Sequence, residues 1–311
     1  MIGRIVEVAD DKRHLSLHRG FMVVQETGGD RKELGRVPLD DIAAVIANAH
    51  GLSYTNNLLV ALAEHGSPFV LCAANHNAVG MLWPIEGNFE QSRRIEAQID
   101  AAKPVHKRLW AFIVRAKLEQ QAATLEAIGA PTAPLSALVG KVRSGDPENI
   151  EAQGARRYWP LLFGADFRRD QRAEGLNAQL NYGYTVLRAA TARAVIAAGL
   201  HPGIGLHHSN DGNPMRLVDD VMEPFRPVID LKVWQLWRNN ELEVTAETKR
   251  ALVHTLYSDM QTDAGVTPAM VCIQKLATSL AQVYLGQREK LDLPLHRQPR
   301  SLVKEPRSNG G

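Results

Sequence analysis

The sequence predicts an α+β protein, with a small β-rich N-terminal domain followed by a larger all-α C-terminal domain. Three observations carry this reading. Short apolar runs separated by turn residues fill the chain up to Trp83, and Pro84 to Asn88 has the composition of a linker. Beyond it apolar residues recur at three- and four-residue intervals, the period of a helix packed on one side. The boundaries that follow are 1–84 for the β-rich domain, 85–90 for the linker, 91–298 for the helical domain and 299–311 for a polar, disordered tail.

Taken in order, His14 to His18 alternates around Leu15 and Leu17, and Phe21 to Gln25 continues after Arg19-Gly20. Gly28-Gly29-Asp30 is a turn signal before Leu34 to Val37. Two apolar runs, Ile42 to Ala47 and Pro68 to Ala73, flank Asn56 to Glu64, whose Leu58, Leu59 and Leu62 suggest a helix. A last strand covers Ala78 to Trp83. Downstream, Gln91 to Ile128 is long, alanine-rich and amphipathic, with Pro104 as its main interruption. Further helices fit Ile150 to Phe163, Ala173 to Ala198, Leu231 to Trp237, Ala246 to Asp259 and Pro268 to Leu285.

Composition narrows the function classes. Hydrophobic residues make up 45% of the 311, as in a globular protein with a substantial core. The formal charge of +2 neither demands nor excludes a polyanionic partner. Cys72 and Cys272 are far apart and lack CxxC or Cys/His spacing, so they read as small core residues in a reducing compartment. With no signal segment and no apolar run of about 18 residues, the expectation is a cytoplasmic protein without a membrane partner.

The stretch that carries chemistry is Gly205 to Asp230, GLHHSNDGNPMRLVDDVMEPFRPVID. Asn213 reads as a helix N-cap with Pro214 at the first helical position, Leu217, Val218, Val221 and Met222 on the buried side, and Pro224 ending or kinking the helix. Asp220 and Glu223 are then i,i+3 neighbours and Asp219 and Glu223 i,i+4 neighbours, so at least two carboxylates share a face. His207 or His208 can fold back over it. A divalent metal would relieve the repulsion between such acids; a solvated helix face with a polar loop is an equal reading of the spacing alone.

Positive charge is clustered nearby. Between Asn88 and Lys117 lie seven Lys/Arg residues against three acids, namely Arg93, Arg94, Lys103, Lys107, Arg108, Arg115 and Lys117. Arg156, Arg157, Arg168, Arg169 and Arg172 follow Glu151. Basic helices beside a metal-carboxylate site suit a phosphodiester substrate, although amphipathic helices carry such faces for solubility alone.

With these residues in hand, the chain resembles the universal CRISPR-associated endonuclease/integrase of spacer acquisition, the first-numbered Cas protein, most closely its type II variant. HHSNDGNPMRLVDDVMEPFRPVID is similar to that variant's histidine pair, Asn-rich turn, DD-x-MEP-x-RP helix and following VD. EAQGARRYWPLLFG, from Glu151, is similar to the family's glutamate, aromatic pair and LFG segment. SRRIEAQIDAAKPVHKRLWAFIVRAKLEQQA, LNYGYTVLRA and SLAQVYLGQREKLDLP follow the family's order, so the resemblance covers roughly residues 90 to 295. The loop Asn210 to Met215 departs from it, with an Asp-Gly pair where relatives carry a longer polar side chain and an aromatic.

The resemblance implies a catalytic Mg²⁺ or Mn²⁺ site of Glu151, His208 and Glu223, with Asp220 and His207 as secondary candidates. Glu151 is assigned from its position seven residues before Tyr158. Nothing local singles it out from an ordinary acid at a helix start. Tyr158 and Asn181 lie near the site or serve packing. The implied activity is insertion of short DNA fragments as new spacers, by 3′-hydroxyl attack on repeat phosphodiesters. Implied partners are double-stranded DNA (captured fragments and the CRISPR repeat), a second copy joined through the strand-rich domain as a homodimer, and a small ferredoxin-like second adaptation protein. The alternatives are a stand-alone metal-dependent nuclease using water as nucleophile, or a non-catalytic helical nucleic-acid-binding scaffold.

Overall fold

Strands of the N-terminal region pair into two four-stranded sheets in the computed structural model, which describes residues 4–28, 31–49, 51–73, 78–85, 87–263 and 265–295. The elements are β1 (Arg4–Val8), β2 (Arg13–His18), β3 (Phe21–Glu26), β4 (Glu33–Pro38), β5 (Ile42–Ala47), β6 (Ser53–Tyr54), α1 (Asn56–Glu64), β7 (Phe69–Cys72) and β8 (Ala78–Leu82). One sheet runs β1-β5-β7-β8, parallel except for the antiparallel β7-β8 pair. The other runs β4-β3-β2-β6, a meander with the two-residue β6 added in parallel.

Strand β5 shows why its sequence is apolar without alternation. Every residue from Ile42 to Ala47 is buried, because the strand is covered on both faces. Val45 and Ala47 join Leu15, Met22, Leu58 and Leu62 in a core between the two sheets and α1. Ala44 and Ile46 join the core of the helical region instead.

Beyond the strands come α2 (Gln91–Asp100), α3 (Lys103–Ala127), α4 (Ala133–Val139), α5 (Ile150–Phe163), α6 (Leu176–Ala197), α7 (Arg216–Met222), α8 (Arg226–Arg238), α9 (Ala246–His254), β9 (Asp259–Thr262), β10 (Gly265–Pro268) and α10 (Ala269–Tyr284). This region is mostly helical, and the β9-β10 hairpin is an addition to the helices read from the sequence. Helix α6 runs through the middle, buried along nearly its whole length, and packs on α7, α8, α9, α10 and β5. Gly183 permits the approach of α8, since a Cβ there would sit 2.3 Å from Ile229 Cγ2.

Several boundaries differ from the sequence reading for identifiable reasons. Helix α8 starts at Arg226 rather than Leu231, because Pro227 occupies its first turn, where a missing N–H costs nothing. Helix α7 starts at Arg216 with Met215 as its N-cap; Asn213 instead accepts from the Met215 N–H at 3.0 Å, turning the chain just ahead of the helix. Helix α6 starts at Leu176, after Gly175 at φ +64°. Helix α9 ends at His254, and the segment to Asp259 is a 3-10 turn leading into the hairpin. The short helix α4 has no counterpart among the helices read from the sequence. The predicted tail 299–311 and the turn residues Gly29 and Asp30 lie outside the described residues. Among the described residues no helix is long and apolar enough to cross a membrane.

Candidate active site

Glu151 enters the site from the first turn of α5, whose start is fixed by two side chains. Asp146 and Asn149 take left-handed backbone (φ 47° and 51°), which short polar residues tolerate. The Asp146 carboxylate accepts from the N–H groups of Ile150 (2.8 Å) and Glu151 (3.0 Å), and the Asn149 side chain accepts from Ala152. Glu223 opens a 3-10 turn, Glu223–Phe225, that joins α7 to α8, with Pro224 inside it. The two carboxylates meet at the ammonium of Lys117, which projects from the buried middle of α3. Lys117 Nζ contacts Glu151 Oε1 and lies 2.6 Å from Glu223 Oε2.

Arg226 completes this group, its Nε donating to Glu223 Oε1 at 2.8 Å while its guanidinium lies 4.6 Å over the Tyr184 ring. Burial alone would raise the Glu223 carboxyl, but the charges of Arg226 and Lys117 outweigh it and hold the group down to about 2. Asp230 accepts from Tyr184 (2.5 Å) and Tyr158 (3.1 Å), so Tyr158 holds a buried carboxylate as well as packing.

The histidine pair is divided by the loop that carries it. Asp220, fully buried on α7, accepts from the backbone N–H of Leu206 (2.6 Å) and His207 (3.2 Å) and pairs with His208 Nδ1 at 2.5 Å. That hydrogen bond, opposed by burial and helped by the charges of Asp220, Glu223 and Asp219, raises the His208 pKa. His207 turns the other way and stacks flat on Trp110, centroids 4.5 Å apart. It faces a cavity of about 360 Å³ with Lys103, His106 and Lys107, whereas His208 faces one of about 330 Å³ with Arg169, Arg188, Arg226, Asn181 and Asp219.

The arginines of the second cavity are held in place. Arg188 makes a two-pronged pair with Asp219 (2.7 and 2.9 Å), and Asn213 joins both. Arg169 donates to Asn177 and Asn181 at 2.9 and 2.6 Å. Asn181 thus positions a basic side chain at the cavity. By contrast, much of the first basic cluster is engaged internally: Arg93 and Arg94 pair with Glu90, and Arg115 donates to the Val142 carbonyl.

Of the predicted site residues, the fold therefore brings Glu151 and Glu223 together and joins His208 to Asp220, but His207 leaves the group. Among the described residues no three His, Cys, Asp or Glu side chains are close enough to hold a metal. The donors nonetheless suit a divalent cation. Two carboxylates converge on one cation position, filled by the Lys117 ammonium, and an imidazole bound to a carboxylate through Nδ1 is oriented as metal-binding histidines are. Sequence reasoning counted Lys117 only as part of a basic run and missed Arg188 and Arg226. The available signal was that Lys117 follows Ile113 by four residues, on a row that is otherwise buried.

The sequence comparisons point to one family, and solved structures share the fold. A model of CRISPR associated protein Cas1 matches residues 6–259. A protein of Neisseria meningitidis named CRISPR-associated endonuclease Cas1 is 36% identical over 285 residues, which cover 90% of this chain and 92% of that one. A casposase bound to integration product superposes with a TM-score of 0.80 at 19% identity, covering 97% of this chain and 96% of the other. The chain of a Cas6-RT-Cas1–Cas2 complex matches with a TM-score of 0.73 at 17% identity, over 92% of this chain and 35% of that longer one. A family model that spans most of the sequence, and a relative of that identity along nearly its full length, establish that this chain belongs to the CRISPR associated protein Cas1 family.

Proposed function

We propose that the chain is a metal-dependent DNA integrase and endonuclease of CRISPR adaptation, of the type II variant, that joins short DNA fragments to repeat DNA. The observation that carries this reading is the meeting of Glu151 and Glu223 at one cation position, beside a cavity lined by His208 and three arginines. The type II assignment is supported by the HHSN and DD-x-MEP-x-RP signature of residues 207–227. A captured fragment and the repeat are the DNA partners, in keeping with the integration product bound to the casposase of similar fold. A homodimer through residues 1–84, a linker at 85–90, catalysis in 91–298 and a cytoplasmic setting complete the proposal. A small ferredoxin-like second adaptation protein bridges two such dimers, and the Cas6-RT-Cas1–Cas2 complex, which includes Cas2, supports it.

Glu151, Glu223 and His208 would hold the metal, Mg²⁺ or Mn²⁺. When bound, such an ion polarises the phosphoryl oxygen and lowers the pKa of the attacking hydroxyl. Arg169, Arg188 and Arg226 bind the phosphate oxygens and keep the scissile bond oriented. Asp219 and Asn213 fix Arg188, and Tyr184 supports Arg226, so little rearrangement is needed as the phosphodiester enters. The 3′-hydroxyl of the fragment gives up its proton and forms the new P–O bond, as the 3′-oxygen of the attacked phosphodiester leaves and takes up a proton. One phosphodiester replaces another, and no nucleotide hydrolysis is required.

The endonuclease name of the Neisseria relative favours a second reading, in which water replaces the 3′-hydroxyl at the same residues. A reaction with short duplexes bearing free 3′-ends, a supercoiled repeat plasmid and Mn²⁺ separates them. Joined products are expected, and fragments alone would assign the nuclease. Glu151→Ala, His208→Ala and Glu223→Ala should abolish joining while DNA binding persists, whereas His207→Ala should retain joining. Unchanged DNA handling in all four variants would leave a scaffold.

A further inference from the structure

We infer that Lys117 is a positioning residue, the resident counter-ion of the Glu151–Glu223 pair, and that a divalent cation gains these carboxylates only as the Lys117 ammonium withdraws. This rests on the proposed metal reading and adds a determinant of affinity that is not itself a ligand. The Lys117 side chain is 9% exposed and stands on a helix turn among Ile113, Val114, Leu118 and Gln121, which is an uncommon place for a lysine unless a charge requires it. Two carboxylates brought together from α5 and the α7-α8 junction repel one another, and the ammonium between them removes that conflict without a metal.

The same placement makes the two cations competitors. Glu223 has one oxygen engaged by Arg226 and the other by Lys117, so a metal that shares Glu223 with Glu151 must take the oxygen that Lys117 holds. Metal–oxygen bonds of about 2.1 Å leave no room for an ammonium in the same contact, and the two positive charges repel. Arg226 is fixed against the face of Tyr184 and cannot yield easily. Lys117 can, because its four-carbon stem swings the ammonium away without moving α3. The chain thus keeps its carboxylates gathered before metal arrives, and the displaced ammonium lowers the affinity of the finished site.

Replacing Lys117 removes the competitor and the gathering charge together. In the full-length chain, Lys117→Met should have a lower metal-free Tm than wild type and a larger rise in Tm with Mn²⁺. It should bind Mn²⁺ about tenfold more tightly in an electron paramagnetic resonance titration, the equivalent of about 1.4 kcal/mol of competition removed. Lys117→Arg, whose planar fork can hold both carboxylates at once, should bind it more weakly. Amine-acylation footprinting of the wild-type chain, read by mass spectrometry, needs no variant to fold: Lys117 labelling should rise severalfold when Mn²⁺ is added. Equal or weaker Mn²⁺ binding in Lys117→Met, or unchanged Lys117 labelling in a wild type that binds Mn²⁺, overturns the inference. Absence of any Mn²⁺ binding that Glu151→Ala and Glu223→Ala weaken would instead remove the metal reading, and this one with it.

Discussion

His208 Nδ1 lies 2.5 Å from Asp220 Oδ1, and the other Asp220 oxygen accepts the N–H groups of Leu206 and His207. One buried carboxylate therefore sets both the direction of the histidine ring and the path of the loop that carries it. In Asp220→Asn the amide oxygen keeps the two backbone donors, so its NH₂ faces Nδ1 and selects the Nε2–H tautomer, which removes the ring lone pair from the nitrogen that would meet a metal. Strand joining should fall about 10–100-fold, as for other residues that orient a metal ligand. Urea unfolding should show a loss of about 1–3 kcal/mol. Wild-type joining in a folded Asp220→Asn protein would show that the ring is oriented by something else.

Glu7 ties β1 to the helices. Its carboxylate accepts from Tyr182 (2.5 Å) and Asn48 (2.7 Å) and pairs with Lys249 at 3.3 Å, both charged side chains being almost nine-tenths buried. Glu7→Ala removes that carboxylate from a buried ammonium and should cost about 3 kcal/mol. Glu7→Gln keeps the shape and should cost less. Denaturant midpoints of the two variants decide whether charge or packing dominates this contact.

Two helical glycines offer a comparison of backbone and side-chain compliance. A Cβ on Gly183 would meet Ile229 Cγ2 and one on Gly154 would meet Leu118 Cδ2, each at 2.3 Å. The methyl of Ile229 branches at Cβ and its rotamer is nearly fixed in a helix, so α8 itself must move. Leu118 Cδ2 ends a side chain with two rotatable bonds. Gly183→Ala should lose about 2 kcal/mol despite its better helix propensity, and Gly154→Ala should stay within about 1 kcal/mol of wild type. Equal losses by chemical denaturation would show that α8 shifts as easily as a leucine turns.

Asp230 gives the fold a pH dependence of definite sign. Burial pushes its carboxyl from 3.8 up to about 7, against the hydroxyls of Tyr184 and Tyr158 that donate to it. Between those values the folded chain keeps a proton that the unfolded chain has released. The contribution is therefore fully present below 3.8 and is lost as pH rises through about 7. Asp230→Asn does not titrate. The Tm of wild type minus that of the variant should decrease between about pH 4 and about pH 8. A difference that stays constant over that range would contradict the shifted carboxyl.

Much of the fold was legible in local pattern. The ranges Ile42 to Ala47 and Asn56 to Glu64 coincide with β5 and α1, because unbroken apolar content and a three-four leucine spacing each admit few alternatives at that length. The elements that escaped, β1, α4, β6 and the β9-β10 hairpin, have two to seven residues each. At that length periodicity carries little information, and tertiary pairing decides. The acids at the end of α7 and just after it were visible as helical neighbours, yet their separate tasks were not: Asp219 holds Arg188, Asp220 holds the histidine loop, and Glu223 meets Lys117.

The sequence by itself determined the order of strands and helices, the clustering of acids after a histidine pair and, through ordered motifs, the resemblance to a family. Those are properties of neighbours along one chain, where a period of 3.6 or 2 residues fixes which side chains share a face. Only the tertiary structure decided that Lys117 of α3 stands between Glu151 of α5 and Glu223 after α7, and that His208 rather than His207 turns toward the arginines. Such meetings depend on how distant helices cross, which no local period encodes. In this protein the crossings are set by the burial of α6 and by side chains as small as Gly183.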